Sequence, residues 1–352
     1  MKATYHKYIL NFKQPSGTSR GILNQKETWF IILENDGKKG IGECGILRGL
    51  SCDDRPDYEE KLKWTCKNIN LGKDTLWEML LEFPSIQFGI EMAFKSLASK
   101  TPFLLFESDF TNTKKSILIN GLVWMGNETF MKQQIEEKLA EGFTCIKLKI
   151  GAIDFDKELK LLHFIRQNFS EQTIEIRVDA NGSFSLNDAL NKIKQLTGYK
   201  IHSIEQPIAK NNTDSMAELC KNTTIPIALD EELIGVFTLK EKEDLLLKTK
   251  PQYIILKPSF IGGFKGTNEW IKLAKKHNIG WWITSALESN IGLNAIAQFS
   301  YLQRNSMPQG LGTGALYTNN FDSPLEVLNG KLWYNNALKW EFNFDKFLQN
   351  SK

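Results

Sequence analysis

The 352 residues are enough for one large α/β barrel with a smaller companion unit, or for two to three average domains. Hydrophobic residues make up 41%, charged residues 24%, and the formal net charge is +3, an ordinary globular balance that excludes the basic stripe of a nucleic-acid binder. No run approaches the ~20 apolar residues of a membrane helix, and the N-terminal stretch around Lys2, Lys7 and Lys13 has no signal-peptide core. The five cysteines (Cys44, Cys52, Cys66, Cys145 and Cys220) are scattered and include no CxxC pair. They read as reduced thiols of a cytoplasmic protein, not as a disulfide framework or a zinc site.

In chain order, residues 27–34 (ETWFIILE) predict a strand, NDGKKG a turn, and IGECGIL a second strand, which together make a hairpin or short meander. Helical spacing follows over 57–69 and 85–100, and the stretch from Thr101 to Lys115 has no clear period. From Ser116 onward short apolar strands alternate with amphipathic helices. The strands are SILING, TCIKLKI, IEIRVDA, HSIEQPI, PIALDEE, YIILKPS, WWITSA and, less clearly, PQGLGTG; the helices fall at 130–141, 155–169, 187–196 and 267–277. Repeated β-then-α units imply a parallel sheet. One polar residue per strand (Lys149, Asp179, Glu205, Asp230, Lys257, Ser285 and Thr313) gives spacings of 30, 26, 25, 27, 28 and 28 by subtraction. That rhythm over eight units predicts a (β/α)₈-type, TIM-like barrel. A doubly wound sheet would carry a Gly-rich phosphate turn after its first strand, and SILINGLVWMGN is a poor one. The expected division is an α+β capping domain over 1–112, completed by a tail over 319–352, and a barrel over 113–318. The tail, LEVLNGKLWYNN then EFNFDKF, reads as another small hairpin packed on the N-terminal domain.

Within the strands, side chains alternate faces. Ile146, Leu148 and Ile150 oppose Cys145, Lys147 and Lys149; Ile176 and Val178 oppose Arg177 and Asp179. Ile204 likewise opposes Glu205, Leu229 opposes Asp230, and Leu256 opposes Lys257. The aliphatic face belongs under the outer helices, so the charges point into the barrel, towards the strand ends where barrel active sites form. Buried charges need partners. Asp179, Glu205 and Asp230 form a cluster of hard oxygen donors suited to Mg²⁺, with Mn²⁺ possible, and Lys149 and Lys257 flank it. A base beside a divalent metal is a site for abstracting a proton next to a carboxylate.

These residues resemble the enolase superfamily, in its muconate-lactonizing subgroup. The resemblance rests on the KxK of Lys147-Leu148-Lys149, RVDANG at 177–182, IEQP at 204–207, LDE at 229–231 and LKPS at 256–259, and it spans nearly the whole chain. Within the subgroup the chain is most similar to the o-succinylbenzoate synthases of menaquinone biosynthesis. Arg177 matches an arginine position of that family, Ser285 in ITSALESNIG resembles its seventh-strand serine, and GLGTGALYT at 310–318 resembles an eighth-strand segment. The dipeptide epimerases carry DxD where this chain has Gly312-Thr313-Gly314. The resemblance implies a small-molecule carboxylate substrate, 2-succinyl-6-hydroxy-2,4-cyclohexadiene-1-carboxylate, dehydrated with Lys149 as acid/base and Lys257 as electrostatic support. It implies substrate contacts from Lys147, Arg177, Ser285, Gly312 and Thr313. SGTSRGIL at 16–23 resembles the capping loop, with Arg20 or Leu23 near the succinyl arm.

Other readings stay open at this level: a racemase, epimerase or cycloisomerase using both lysines, a Schiff-base lyase, or a non-catalytic barrel. Whether the protein is a monomer or a homo-oligomer is likewise open. His6, His163, His202 and His277 support no catalytic triad, Trp281 and Trp282 read as core, and Glu288 reads as a partner to the amines or metal.

Overall fold

The computed structural model describes residues 1–18, 21–151 and 153–350. The chain opens with three antiparallel strands, β1 (Lys2–Thr18), β2 (Gly21–Asn35) and β3 (Lys38–Gly45), in the order β1-β2-β3. This is the meander, with one strand more than the hairpin, because the lysine-spaced N-terminus pairs along β2 from Lys2–Glu34 to Asn11–Gln25. The unbroken apolar run of β2 is explained by burial on both faces. Trp29, Ile31 and Leu33 lie under α1 (Tyr58–Lys67), α2 (Lys73–Met79) and α3 (Pro84–Ala98), whereas Phe30 and Ile32 join the large core shared with the barrel. Close packing of α3 on β3 requires Gly42, since a Cβ there would come within 2.8 Å of the Ala93 nitrogen.

The barrel follows. After β4 (Ile117–Leu118), parallel strands β5 (Gly121–Val123), β6 (Cys145–Lys149), β7 (Glu175–Asp179), β8 (Ser203–Glu205), β9 (Ile227–Leu229), β10 (Tyr253–Leu256) and β11 (Gly280–Ile283) lie side by side in chain order. The connecting helices are α4 (Glu128–Ala140), α5 (Phe155–Asn168), α6 (Ala189–Leu196), α7 (Thr213–Asn222), α8 (Leu239–Thr249) and α9 (Gly263–Lys276), with α10 (Asn290–Leu302) after β11. The ring closes at Gln309. Its amide donates to the Leu118 carbonyl at 2.8 Å and its carbonyl accepts from Asn120 at 3.0 Å, while Gly310 donates to the Ile283 carbonyl at 2.8 Å. The eighth strand is therefore only a few residues long, and no helix follows it before the tail among the described residues.

The outward aliphatics fall as strand alternation requires: Ile146, Leu148, Ile176, Val178, Ile204, Leu229 and Leu256 all belong to one core beneath the helices. In the tail, β12 (Leu325–Leu328) and β13 (Lys331–Tyr334) form the expected hairpin, turned by Asn329-Gly330 with both φ positive. It pairs with β4 at the barrel, not with the N-terminal sheet. The EFNFDKF segment is no strand. It leads into α11 (Phe344–Asn350), whose Phe347 packs on Tyr8 and Phe30, so helix and not hairpin reaches the N-terminal domain.

Candidate active site

Strand register assembles the charged cluster. Lys149 lies opposite Asp179, and Asp179 opposite Glu205, across β6, β7 and β8. Asp230 and Lys257 directly follow β9 and β10. Asp179, Glu205 and Asp230 are 1%, 2% and 2% exposed, so their charges must be answered inside the barrel. Lys147 Nζ bridges two of them, at 2.7 Å from both Glu205 oxygens and 2.9 Å from Asp179 Oδ2. Lys149 Nζ donates to Asp179 Oδ2 at 3.1 Å and to Asn181 Oδ1 at 2.6 Å. Lys257 Nζ pairs with Asp230 Oδ2.

The electrostatics show where positive charge is short. Burial disfavours the Asp179 carboxylate, but Lys147, Lys149 and Lys257 outweigh it and hold the group well below the usual carboxylate range. Glu205 goes the other way. Burial, and then repulsion from Asp179 and Asp230, raises it well above its ordinary value despite Lys147. Burial also opposes the ammonium of Lys257, yet Asp230, Glu205 and Glu231 raise its pKa overall. Among the described residues no three acidic, histidine or cysteine side chains converge as a ready cage; ammonium groups occupy the carboxylate contacts instead. Three buried hard oxygen donors that repel one another suit a divalent metal, whose binding would require Lys147 and Lys257 to yield some of those contacts.

Two residues of the quoted motifs extend the cluster. Asn181, held at φ 44°, accepts from Lys149 and donates to Glu231 Oε1 at 3.0 Å. Gln206, at φ 39°, accepts from the amides of Asp230 and Glu232, each at 3.2 Å, and so shapes the loop that carries Asp230. A polar residue in the tight turn after a strand was the available signal for both.

The remaining expected contacts separate. Ser285 Oγ and Thr313 Oγ1 meet at 2.6 Å, both buried, and Gly312 beside them is exposed, with room for a Cβ. Arg177 is not at the mouth. It donates to Glu175 at 2.7 Å and to the Pro308 carbonyl at 2.9 Å, and its guanidinium lies 4.0 Å over the Trp282 ring, one layer deeper. Leu23 packs on the cluster of Leu10, Phe12, Leu287 and Tyr317, and Gly17 bridges to Met125, so this segment touches the barrel rim. Arg20 lies outside the described residues.

Fold and charge layout define a barrel enzyme of the enolase superfamily, and comparison with known proteins places the chain in it. Residues 131–337 match the family described as Enolase C-terminal domain-like, and residues 1–97 match that described as MenC, N-terminal domain. The chain belongs, within the superfamily, to the o-succinylbenzoate synthase family. It is 46% identical to the o-succinylbenzoate synthase of Desulfotalea psychrophila, over 94% of this chain and 98% of that one. The crystal structure of MenC from Desulfotalea psychrophila superposes with a TM-score of 0.84 at 43% identity, covering 95% of this chain and 99% of that one. A dipeptide epimerase from Enterococcus faecalis, solved with Mg and a dipeptide, shares the fold at a TM-score of 0.82 but only 17% identity, over 95% and 96% of the two chains. The chain is a lyase of this family, and the epimerases are its more distant relatives.

Proposed function

We propose that this chain dehydrates 2-succinyl-6-hydroxy-2,4-cyclohexadiene-1-carboxylate to o-succinylbenzoate, the menaquinone-pathway reaction of its family, with Asp179, Glu205 and Asp230 holding Mg²⁺ and Lys149 and Lys257 doing the proton and charge work. The observation that carries this reading is the set of three buried carboxylates on successive strands with an amine at either side. The capping unit, residues 1–112 joined by α11 of the tail, closes the mouth of a barrel spanning 113–318. Manganese suits the same oxygen donors.

A bound divalent cation supplies a Lewis acid for the ring carboxylate and charge for the enediolate. Lys149, as the neutral amine, takes the proton from the carbon beside that carboxylate, and the C–H electron pair enters the enediolate. Asn181 and Asp179 hold its Nζ in place. The C–O bond at the ring hydroxyl then breaks, the departing oxygen collects the proton from Lys149 and leaves as water, and the ring becomes aromatic. Lys257 faces the enediolate from the other side as a fixed positive charge. Ser285 and Thr313 present a joined hydroxyl pair to the succinyl arm.

The test is a Mg²⁺-dependent dehydration assay on the cyclohexadiene substrate. Formation of o-succinylbenzoate that stops on chelation is the expected result. Racemisation of an N-succinylamino acid without any dehydration would overturn the substrate assignment, and dehydration that survives chelation would overturn the metal.

A further inference from the structure

Glu288 takes no part in this scheme, yet it is wholly buried and joins two loops that do. One carboxylate oxygen accepts from Ser259 Oγ at 2.6 Å and the other from the Ala286 amide at 2.7 Å. Ser259 lies in the single 3₁₀ turn Pro258–Phe260 that begins directly after Lys257. That turn is closed by a hydrogen bond from the Phe260 amide to the Lys257 carbonyl, 2.8 Å. Ala286 follows Ser285. Glu288 is thus a brace between the loop that sets Lys257 and the loop that sets the Ser285–Thr313 pair.

The brace leans on the capping domain. Lys26 of β2 is 3% exposed and, among the described residues, its Nζ has no hydrogen-bond partner; burial pushes its pKa down, against the opposing pull of Glu288 and then Glu43. Glu43 of β3 is occupied by other donors. It accepts from the Ser289 amide at 2.9 Å, Ser289 Oγ at 2.6 Å, the Gly292 amide at 2.9 Å and Thr28 Oγ1 at 3.0 Å, which caps α10 across the domain boundary. A buried carboxylate without a counter-charge is costly. The cation that acts on Glu288 is Lys26, from a strand of the other domain, although burial still leaves the Glu288 carboxyl raised.

We propose that Glu288 is a positioning residue that holds Lys257 in line with the reacting carbon, and that Lys26 makes this hold depend on the capping domain being seated. The proposal rests on the reading that Lys257 serves the enediolate. Ser259→Ala cuts the brace from the Lys257 turn while leaving Glu288, Glu43 and Lys26 in place. The expected result is a kcat lower by about 10- to 100-fold, the range for groups that orient a reacting side chain, with KM within about twofold and most of kcat restored by Ser259→Thr. Glu288→Gln retains a shape that can accept from Ala286 and donate to Ser259 but removes the charge. Lys26→Met should therefore lower kcat in the wild-type background and have no further effect in the Glu288→Gln background. Unchanged kcat in Ser259→Ala, no rescue by threonine, or an equal Lys26→Met loss in both backgrounds would overturn the proposal. Lys257→Ala, assayed alongside, separates the two levels. If Lys257→Ala keeps full turnover, the role of Lys257 itself fails; if it abolishes turnover while Ser259→Ala is silent, only the brace fails.

Discussion

Lys147 and Arg177 sit side by side across β6 and β7, in direct register, both facing inward and both buried, yet they serve different floors of the barrel. Lys147 reaches up to Asp179 and Glu205. Arg177 turns down to Glu175, the Pro308 carbonyl and the face of Trp282. The upper floor is a set of carboxylates and amines that mostly answer one another, an arrangement with a use only if something is to be bound or moved there. The lower floor is a cation on an indole ring, closed off by Tyr253, Ile255 and Ala228. An inward charge on a barrel strand is therefore not by itself a functional charge; its height and reach decide.

The largest expected effects come from striking the upper floor. Lys149→Ala should lower kcat by roughly 10²–10⁴-fold, the usual worth of a positioned acid/base group, with the melting temperature little changed. Lys257→Ala should lose roughly 10²–10³-fold if its work is electrostatic. A steady-state assay with both variants checks this, and retention of wild-type kcat by Lys149→Ala would remove the working base from the scheme. Chelation should abolish turnover and Mg²⁺ should restore it. Added Mg²⁺ should also raise the wild-type melting temperature, because a ligand of the folded state stabilises it by mass action, and Asp230→Asn should lose most of that rise.

A middle-sized effect tests the lower floor. Arg177→Met keeps a side chain against Trp282 but gives up the hydrogen bond to Pro308 and leaves Glu175 without its cation. About 1–3 kcal/mol of stability should go, read by urea unfolding, while kcat/KM stays within about threefold. Lost substrate affinity at unchanged stability would instead return Arg177 to the site.

The difference between the floors also marks what the sequence could convey. The convergence of Asp179, Glu205, Asp230, Lys149 and Lys257 in one place was legible because strand alternation and position at the strand end are local properties of five short segments. The fate of Arg177 was not, because register fixes a Cα while a long side chain chooses its direction from neighbours on β11 and the closing segment, over a hundred residues away. Nor was the brevity of the eighth strand legible: GLGTG carries no period, and closure depends on Gln309, whose side chain also accepts from the Ile283 amide at 2.8 Å. The α10 cap supplied by Glu43 was hidden for the same reason, since it joins residues 246 positions apart.

The smallest effect concerns His202, on the lower floor beside Tyr253, with ring centroids 4.9 Å apart. Burial lowers its pKa from 6.5, and the nearby Arg177 adds to this against the opposing pull of Glu175. The folded state thus binds the proton less readily than the unfolded chain. The stability this contributes is fully present above about pH 6.5 and is lost as the pH falls from there through the lower folded pKa. His202→Gln has no such group to titrate. The melting temperature of the wild type should therefore fall more steeply than that of His202→Gln between pH 7 and 5, with kcat/KM alike in both at neutral pH. Parallel melting curves would mean that His202 is equally at ease charged or neutral, and a loss of kcat/KM in the variant would show that the lower floor takes part in turnover after all.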